Sequence, residues 1–558
     1  MAREGRSWLP DRNVPPCLLH MKQLSFQYKC ASTAGLPTGL WLWRFGCGFL
    51  PIVVATMLMG LNVEQLFAAE SATPGTSIEQ RIQELTPKLE DYVAIGMKAF
   101  DVPGVAIGIL AGDKLVYSKG FGVRSKGGPP VDTETIFQIG STAKAFLATT
   151  IAIAADRGKL HWDDRVVDLD PDFQLKDPWV TREFRVFDLM AQRSGLPPYV
   201  NDMLGYLGFD ENAMIRSLRY VEPVSSFRST YAYTNITHLI AGRVVARSEG
   251  VADWNVVLRE ELLDRLGMKN SSYTAEAIKA APNHAEGYRY TPDGSVEVPF
   301  QQSVPYEFGG AGDINSNIDD MARWVSLQLG NGSFEGRLVV SPENLAVTRT
   351  PKVAMNDKTA YALGWIVAQT PNGNLVLHDG GTDGFASFVG LQLDKRIGVI
   401  VLTNQGNVVF PDAIGAWTFD QLLGNSPVDH VAEVLKLATK LYSEEDKKFA
   451  KPVNPRPFPA TAPLTGSFAN PSFGKTSLKH EGNALVLELK TGAQLELEPW
   501  DGDIFTARLA PNGRFAPVAE SLGPRPIGFV QFQMDKEGKL NLLRLSFADG
   551  QAYEFLRE

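Results

Sequence analysis

A serine and a lysine three positions apart, Ser141 and Lys144, are the most informative pair in this chain of 558 residues. Residues i and i+3 of a helix share a face, so the lysine amine would stand beside the serine hydroxyl. An amine held there can take the hydroxyl proton and make the oxygen a nucleophile toward a carbonyl carbon. Gly140 precedes the pair and a long alanine-rich apolar run follows, which predicts a buried helix with the serine on its first turn. The Ser141 amide, unpaired in that turn, is then a candidate oxyanion donor.

The same spacing occurs a second time, at Ser472 and Lys475. That copy lies among Asn470, Pro471 and Gly474, and no helical pattern follows it. A lysine there would not be held over the serine, so only the first copy predicts a nucleophile.

An aromatic hydroxyl and an amide stand at Tyr233 and Asn235, just before the helical pattern of residues 236–250. A tyrosine beside a lysine ammonium can have its phenolate favoured by the opposite charge and can act as general base. Tyr199 and Asn201 repeat the spacing after a Pro-Pro pair. The placement before a helix favours the first pair.

A third element is His378-Asp379-Gly380-Gly381, which follows an apolar strand pattern. Glycines allow a strand edge to approach a substrate and to present its amides, so the Gly381 N–H is a candidate second oxyanion donor. Two similar motifs occur later, His480-Glu481-Gly482 and Lys490-Thr491-Gly492. Both join strand patterns near the end of the chain, where the turn between two strands requires glycine for its backbone conformation.

The elements that must position these residues are readable from periodicity. Residues 77–100 have helical apolar spacing with a capping box at Ser77, and two strands follow around a Gly112–Asp113 turn. Residues 451–463 contain five prolines, which predict a semi-rigid linker. Beyond it, short alternating strands predict a small antiparallel barrel or sandwich.

Charge and composition exclude several classes of protein. Residues 1–69 carry six basic and three acidic residues, and the remainder carries 48 basic against 60 acidic residues. An acidic body without a dense basic cluster argues against nucleic-acid binding. The three cysteines all lie in the first fifty residues, so the body has no cysteine nucleophile or Cys-ligated zinc. No HExxH or paired-histidine spacing occurs, and neither a metal nor a cofactor is expected.

The N-terminal segment has the pattern of an export signal. Residues 45–61 are apolar and uncharged, basic residues precede them, and small residues follow at Ala68 and Ala69. The run contains Pro51 and is at the lower limit for spanning a bilayer, so a cleaved signal is favoured over a retained membrane anchor. We therefore expect an exported protein, periplasmic or extracellular, with membrane anchoring as the alternative.

Together, the three motifs resemble the serine beta-lactamase and penicillin-binding-protein superfamily, in particular its class C-like branch of esterases and CubicO-type peptidases. The resemblance covers about residues 78–425. It also includes further landmarks: Ser194-Gly195-Leu196-Pro197, the segment of residues 309–324, Tyr361-Ala362-Leu363-Gly364-Trp365 and the strand that ends at Asn404. The tail resembles the lipocalin-like domain of some CubicO-type peptidases.

The resemblance implies that Ser141 is the acylated nucleophile, that Lys144 and Tyr233 handle its proton, and that Asn235 orients them and the substrate. It also places the oxyanion hole at the amides of Ser141 and Gly381. His378 stands where beta-lactamases have a lysine that meets the substrate carboxylate. A histidine is mostly uncharged at neutral pH, which favours ester or peptide cleavage over penicillin hydrolysis.

The sequence therefore predicts an α/β (α+β) serine hydrolase with a mixed antiparallel sheet flanked by helices. The predicted parts are a signal or anchor in residues 1–75, the hydrolase domain in 76–447, a linker in 448–463 and a lipocalin-like β-barrel in 464–558. A beta-lactamase, or a penicillin-binding protein that acylates with little turnover, is the alternative. The expected partner is a small ester, amide or peptide substrate, and the barrel is a candidate cover for the cleft or an oligomer contact.

Overall fold

The computed structural model describes residues 77–406, 408–426, 428–458, 464–482 and 484–558. The predicted signal or anchor, residues 1–75, lies outside the described residues, and export stays a prediction. Within the described ranges, no helix combines the length and the apolar character needed to cross a membrane.

An eight-stranded antiparallel sheet forms the centre of the first part of the chain, as predicted. Its strands lie in the order β2-β1-β8-β7-β6-β5-β4-β3. In chain order they are β1 (Gly104–Ala111), β2 (Lys114–Gly122), β3 (Val353–Ala354), β4 (Thr359–Tyr361), β5 (Ile366–Thr370), β6 (Gly373–Gly381), β7 (Ala386–Gln392) and β8 (Ile397–Thr403). The strands β7 and β8 are buried along their whole length because helices cover both faces of the sheet.

Helices lie on both faces of this sheet, as the sequence predicted. The longer or site-forming ones are α1 (Ile78–Phe100), α2 (Ala143–Asp156), α3 (Val186–Met190), α4 (Asp202–Tyr206), α5 (Ile236–Glu249), α6 (Ile318–Leu329), α7 (Pro342–Thr348), α8 (Phe410–Leu423) and α9 (His430–Phe449). On one face α8 packs on β7, since a Cβ at Gly415 would meet the Phe388 ring. On the other face α6 packs on the sheet, since a Cβ at Gly398 would meet Val325. Glycine permits both close approaches.

Shorter elements complete this part. The helices are Val166–Leu169, Pro178–Glu183, Glu211–Ser217, Trp254–Val257, Asp264–Leu266 and Ala275–Ala280, with tighter turns at Gly140–Thr142 and Leu218–Tyr220 and a π-helical stretch at Leu258–Leu263. Short strand pairs join Phe137–Gln138 to Asn315–Ser316 and Ser333–Phe334 to Arg337–Leu338, while Tyr288–Arg289 pairs with both Val296–Glu297 and Gln405–Gly406.

The entry into the fold follows the local sequence signals. The Ser77 hydroxyl accepts from the Gln80 amide at 3.2 Å, and the Gln80 side chain accepts from the Ser77 amide at 3.1 Å. This reciprocal capping box confirms the predicted helix start. Gly112 has a φ of +64° in the turn between β1 and β2, which confirms the predicted hairpin.

The C-terminal part is a closed antiparallel barrel, which decides between the predicted barrel and sandwich. Its strands are β9 (Gly466–Asn470), β10 (Gly474–Glu481), β11 (Ala484–Leu489), β12 (Gln494–Asp501), β13 (Ile504–Leu509), β14 (Gly528–Met534), β15 (Leu540–Phe547) and β16 (Ala552–Arg557). Helix α10 (Ala516–Leu522), entered through the tight turn Gly513–Phe515, lies between β13 and β14. Pairing of β9 with β16 closes the ring, so no strand edge is left open.

Candidate active site

Ser141 lies in the tight turn Gly140–Thr142 that leads into α2. Helix α2 is buried from its first residue through Ala154, which confirms the predicted buried helix. Gly140 adopts a left-handed φ of +51°, and the turn presents Ser141 with 9% of its surface exposed. The serine is therefore nearly enclosed, at the start of a rigid element.

Lys144 is fully buried and its amine makes three hydrogen bonds. Nζ donates to Ser141 Oγ at 2.9 Å, to Asn235 Oδ1 at 2.8 Å and to the Ala311 carbonyl at 2.7 Å. Burial lowers the pKa of Lys144 to about 7, although the carboxylates of Asp202, Asp379 and Asp313 oppose the shift. The amine is therefore neutral in a large fraction of molecules near neutral pH and can accept a proton.

Tyr233 donates its hydroxyl to Ser141 Oγ at 2.8 Å, and the Lys144 amine lies 4.8 Å from the centre of its ring. Burial raises the pKa of Tyr233 well above its ordinary value. This direction is opposite to the phenolate expected from the sequence, because burial of the charged form outweighs the attraction of a lysine that is itself partly neutral. Tyr233 is therefore a neutral phenol that donates a hydrogen bond, and it is not a phenolate ready to act as general base.

Asn235 joins the lysine to a carboxylate that the sequence did not single out. Its amide nitrogen donates to Asp202 Oδ2 at 2.7 Å, so its oxygen is left to accept from Lys144. Gln192 holds the backbone next to it, accepting from the Thr234 amide at 2.7 Å and donating to the Thr234 carbonyl at 3.1 Å. The tyrosine and the asparagine therefore keep a fixed separation on either side of Thr234.

The strand end at Gly380 and Gly381 packs directly on the turn that carries the serine. A Cβ at Gly380 would lie 2.0 Å from the Ile139 carbonyl oxygen, and one at Gly140 would lie 2.6 Å from the Gly381 nitrogen. Because Thr382 N donates to Phe385 O, the alternation of the ladder turns the Gly381 amide away from β7. The Gly381 amide thus faces away from β7, at the strand end that packs on the turn carrying Ser141.

We expect Gly140→Ala to lower kcat by about 100-fold or more, because the added methyl group meets the backbone of Gly381 and displaces its amide, which the sequence predicts to be an oxyanion donor. Gly158, at the other end of α2, is a matched control, since it has a φ of +67° and open space around its Cβ position. Gly158→Ala should cost only the left-handed strain, about 1–2 kcal/mol of unfolding free energy. Equal kcat values for the two folded variants would contradict this placement.

His378 lies beside the serine, lysine and tyrosine rather than among them. Its Nε2 is 3.0 Å from the Tyr361 hydroxyl, its Nδ1 is 2.5 Å from the Asp379 carbonyl, and its ring centre is 6.5 Å from that of Tyr233. Burial lowers the pKa of His378 to about 3, so the ring is neutral. His378 therefore brings no positive charge to the site around Ser141.

The second copies of the motifs, here called decoy motifs, make other contacts. Lys475 points to solvent and pairs with Glu558 at 3.2 Å. Tyr199 packs on Tyr233 with ring centres 5.5 Å apart, while it is Tyr233 that bonds the serine. Thr491, in the literal Lys-Thr-Gly of the barrel, donates to the Leu207 carbonyl at 2.7 Å.

Three supporting residues, Asp202, Gln192 and Tyr361, were given no role by the sequence analysis, and Tyr361 was named only as a landmark of the resemblance. Asp202 follows the rival Tyr199-Val200-Asn201 by one position, and Gln192 precedes Ser194-Gly195-Leu196-Pro197 by two positions. Nothing in the local pattern relates either side chain to Asn235 or Thr234, since the contacts join segments 33 and 42 residues apart. In the described part of the chain, no group of three or more His, Cys, Asp and Glu side chains is arranged to hold a metal ion.

The sequence matches the model of the family described as Beta-lactamase over residues 89–420. An unguisins hydrolase of Aspergillus campestris is 27% identical over 482 residues, which cover 78% of this chain and 88% of that protein. Penicillin-binding protein 4 of Amycolatopsis lactamdurans is 26% identical over 382 residues, which cover 66% of this chain and 93% of that protein.

Among solved structures, the octameric penicillin-binding protein homologue from Pyrococcus abyssi superposes with a TM-score of 0.55. The sequence identity is 22%, and the match covers 85% of this chain and 100% of that chain. At this identity the likeness concerns the fold.

Proposed function

We infer, from the premise that this chain belongs to the beta-lactamase family, that it is a hydrolase working through an acyl-enzyme on Ser141. One observation carries the proposal: Ser141 Oγ accepts hydrogen bonds from the Lys144 amine at 2.9 Å and from the Tyr233 hydroxyl at 2.8 Å. A buried serine bonded to a lysine of lowered pKa is an activated nucleophile.

The proposed reaction has two stages. Neutral Lys144 takes the Ser141 proton while Oγ attacks the substrate carbonyl carbon, and the resulting oxyanion lies at the amides of Ser141 and Gly381. As the bond to the leaving group breaks, Tyr233 gives a proton to that group and regains one from the lysine ammonium. Water then attacks the serine ester with Lys144 again as base, which releases the acid and restores the hydroxyl.

The charge distribution favours an ester or peptide substrate over a beta-lactam. A neutral His378 offers no ion pair to a substrate carboxylate at the place where beta-lactamases have lysine. A small recess next to Gln138, which precedes the nucleophile turn, is lined by both apolar side chains, such as Phe300, and polar ones, such as Gln301. A relative named as a hydrolase supports turnover, and one named as a penicillin-binding protein keeps the alternative of acylation with little turnover.

We expect sustained hydrolysis of short-chain p-nitrophenyl esters or D-amino-acid amides, with kcat/KM at least about 100-fold above that for nitrocefin. A factor of this size corresponds to the loss of one well-formed charge-assisted contact in the transition state. Stopped-flow traces with intact-mass detection of the acyl-enzyme separate the candidates. A stoichiometric burst without a steady state would favour the penicillin-binding alternative, and efficient nitrocefin turnover would favour a beta-lactamase.

A further inference from the structure

The interior of the C-terminal barrel is a packed core. Apolar side chains from around the ring are buried, among them Leu487, Leu495, Val530, Leu543, Leu545 and Phe555. The barrel therefore has only its outer surface and its connecting segments to offer to the rest of the chain.

One part of that surface packs against the segment Pro198–Phe209, which contains α4. The contacts are hydrogen bonds from Gln551 to the Pro198 carbonyl at 3.4 Å, from Thr491 to the Leu207 carbonyl at 2.7 Å and from Arg514 to the Gly208 carbonyl at 3.3 Å, and an edge-to-face contact of Phe473 with Phe209. This segment also holds Asp202, the carboxylate that binds Asn235.

A second part of the barrel reaches the opposite side of the cleft. Ser521 of α10 donates to Asp383 Oδ2 at 3.0 Å, in the turn that follows Gly381. The other oxygen of Asp383 accepts from the Tyr206 hydroxyl of α4 at 3.0 Å. The barrel thus contacts both the turn that follows Gly381 and the segment that contains Asp202.

Hydrogen bonds, joined by one step along the backbone from Asn201 to Asp202, lead from the barrel to the lysine. Tyr553 of β16 donates to Asn201 Oδ1 at 3.1 Å, and Asn201 Nδ2 donates to Ser217 Oγ at 2.7 Å. The next residue, Asp202, accepts from Asn235, whose oxygen accepts from Lys144. Every step beyond Asn201 is buried.

We propose that the barrel is part of the active site, with Tyr553 and Asp202 as positioning residues that orient the Asn235 amide toward Lys144. This inference rests on the proposed function, since it concerns the same lysine. Asp202 Oδ2 accepts from the amide nitrogen of Asn235, which leaves the amide oxygen to accept from the lysine. Tyr553 keeps the backbone at Asn201, which has a φ of +66°, in the conformation that delivers the carboxylate.

The test uses the full-length chain with Tyr553→Phe, which removes one hydroxyl from the barrel. We expect kcat for a p-nitrophenyl ester to fall about 5- to 10-fold, as for one hydrogen bond, with KM changed by less than about 2-fold. Tyr220→Phe is the matched control, because that tyrosine is 51% exposed on the turn Leu218–Tyr220 and should keep both constants.

The pH profile of kcat separates a positioning role from a general loss of rigidity, because a loss of rigidity alone would not shift its acid limb. Three carboxylates face Lys144 and raise its pKa, Asp202 first, then Asp379 and Asp313, while the buried His378 and His238 are neutral. Asp202→Asn keeps an acceptor for Asn235 but removes the carboxyl group that contributes most to raising the pKa of Lys144, so the acid limb of kcat should move to lower pH. Burial raises the pKa of Asp202 itself, so the limb should move less than it would for a fully ionised carboxylate. Tyr553→Phe should move the limb in the same direction by a smaller amount.

Unchanged kcat and an unmoved limb in both Tyr553→Phe and Asp202→Asn would overturn the inference while leaving the nucleophile assignment intact. If Tyr553→Phe fails to fold, the Asp202→Asn profile decides, because that exchange is isosteric and within the hydrolase part. Failure of the proposed function would be seen in a separate experiment: ester cleavage would survive the Ser141→Ala substitution.

Discussion

Replacing Ser141 with alanine is expected to lower kcat/KM for p-nitrophenyl esters by about 10⁴-fold or more, with folding retained. The variant removes the one oxygen that both Lys144 and Tyr233 reach, so no atom is left to form the acyl-enzyme. The change deletes a single buried oxygen, and we expect the free energy of unfolding to change by no more than about 1–3 kcal/mol. Steady-state assays and a thermal melt measure both effects.

The chain contains its own control for this experiment. Ser472 has the same Ser-x-x-Lys spacing and the same 9% exposure, but it lies beside β10 and no lysine is held over it. Ser472→Ala should therefore keep wild-type kcat/KM. Ester hydrolysis that persists in Ser141→Ala at more than a few per cent, with no contaminating activity, would refute the nucleophile assignment.

Replacing Lys144 with methionine is expected to lower kcat/KM by about 10²- to 10⁴-fold, the contribution of a positioned general base. Methionine matches the length of the buried chain but cannot take a proton. Since burial lowers the pKa of the folded lysine to about 7, the folded state disfavours the ammonium that the unfolded chain carries below pH 10. Removing that cost offsets the lost hydrogen bonds, so the melting temperature should stay within about 5 °C of the wild type.

The pH profile of the wild type tests the direction in which the pKa of Lys144 is shifted. A base must be deprotonated to act, so kcat/KM should rise with pH through about 7 and then level off, instead of rising near 10.5 as for an exposed lysine. The residual activity of Lys144→Met should lack this limb. Lys475→Met, at an exposed lysine of the decoy motif, should keep both rate and limb. An unaltered limb in Lys144→Met would assign the titration to another group.

Local patterns predicted the framework of the site well. The capping box at Ser77, the hairpin at Gly112 and the serine-lysine turn all depend on contacts within a few residues, and the structure has each of them. The predicted barrel was outlined by short alternating strand patterns, and closure into eight strands depended on pairing between its two ends. That pairing joins residues about ninety positions apart, which periodicity does not describe.

The sequence already indicated one acyl-transfer site. The spacing of Ser141 and Lys144 is a property of a single helical turn, and the three motifs together carried the family resemblance. Placement before a helix had already favoured Tyr233 over Tyr199. Two features were decided only by tertiary structure: the Asp202 carboxyl group behind Asn235, and the protonation states of the lysine and tyrosine. The physical reason is that hydrogen-bond partners and desolvation are set by which distant segments exclude water from a group. A residue's type and its neighbours in sequence do not contain that information.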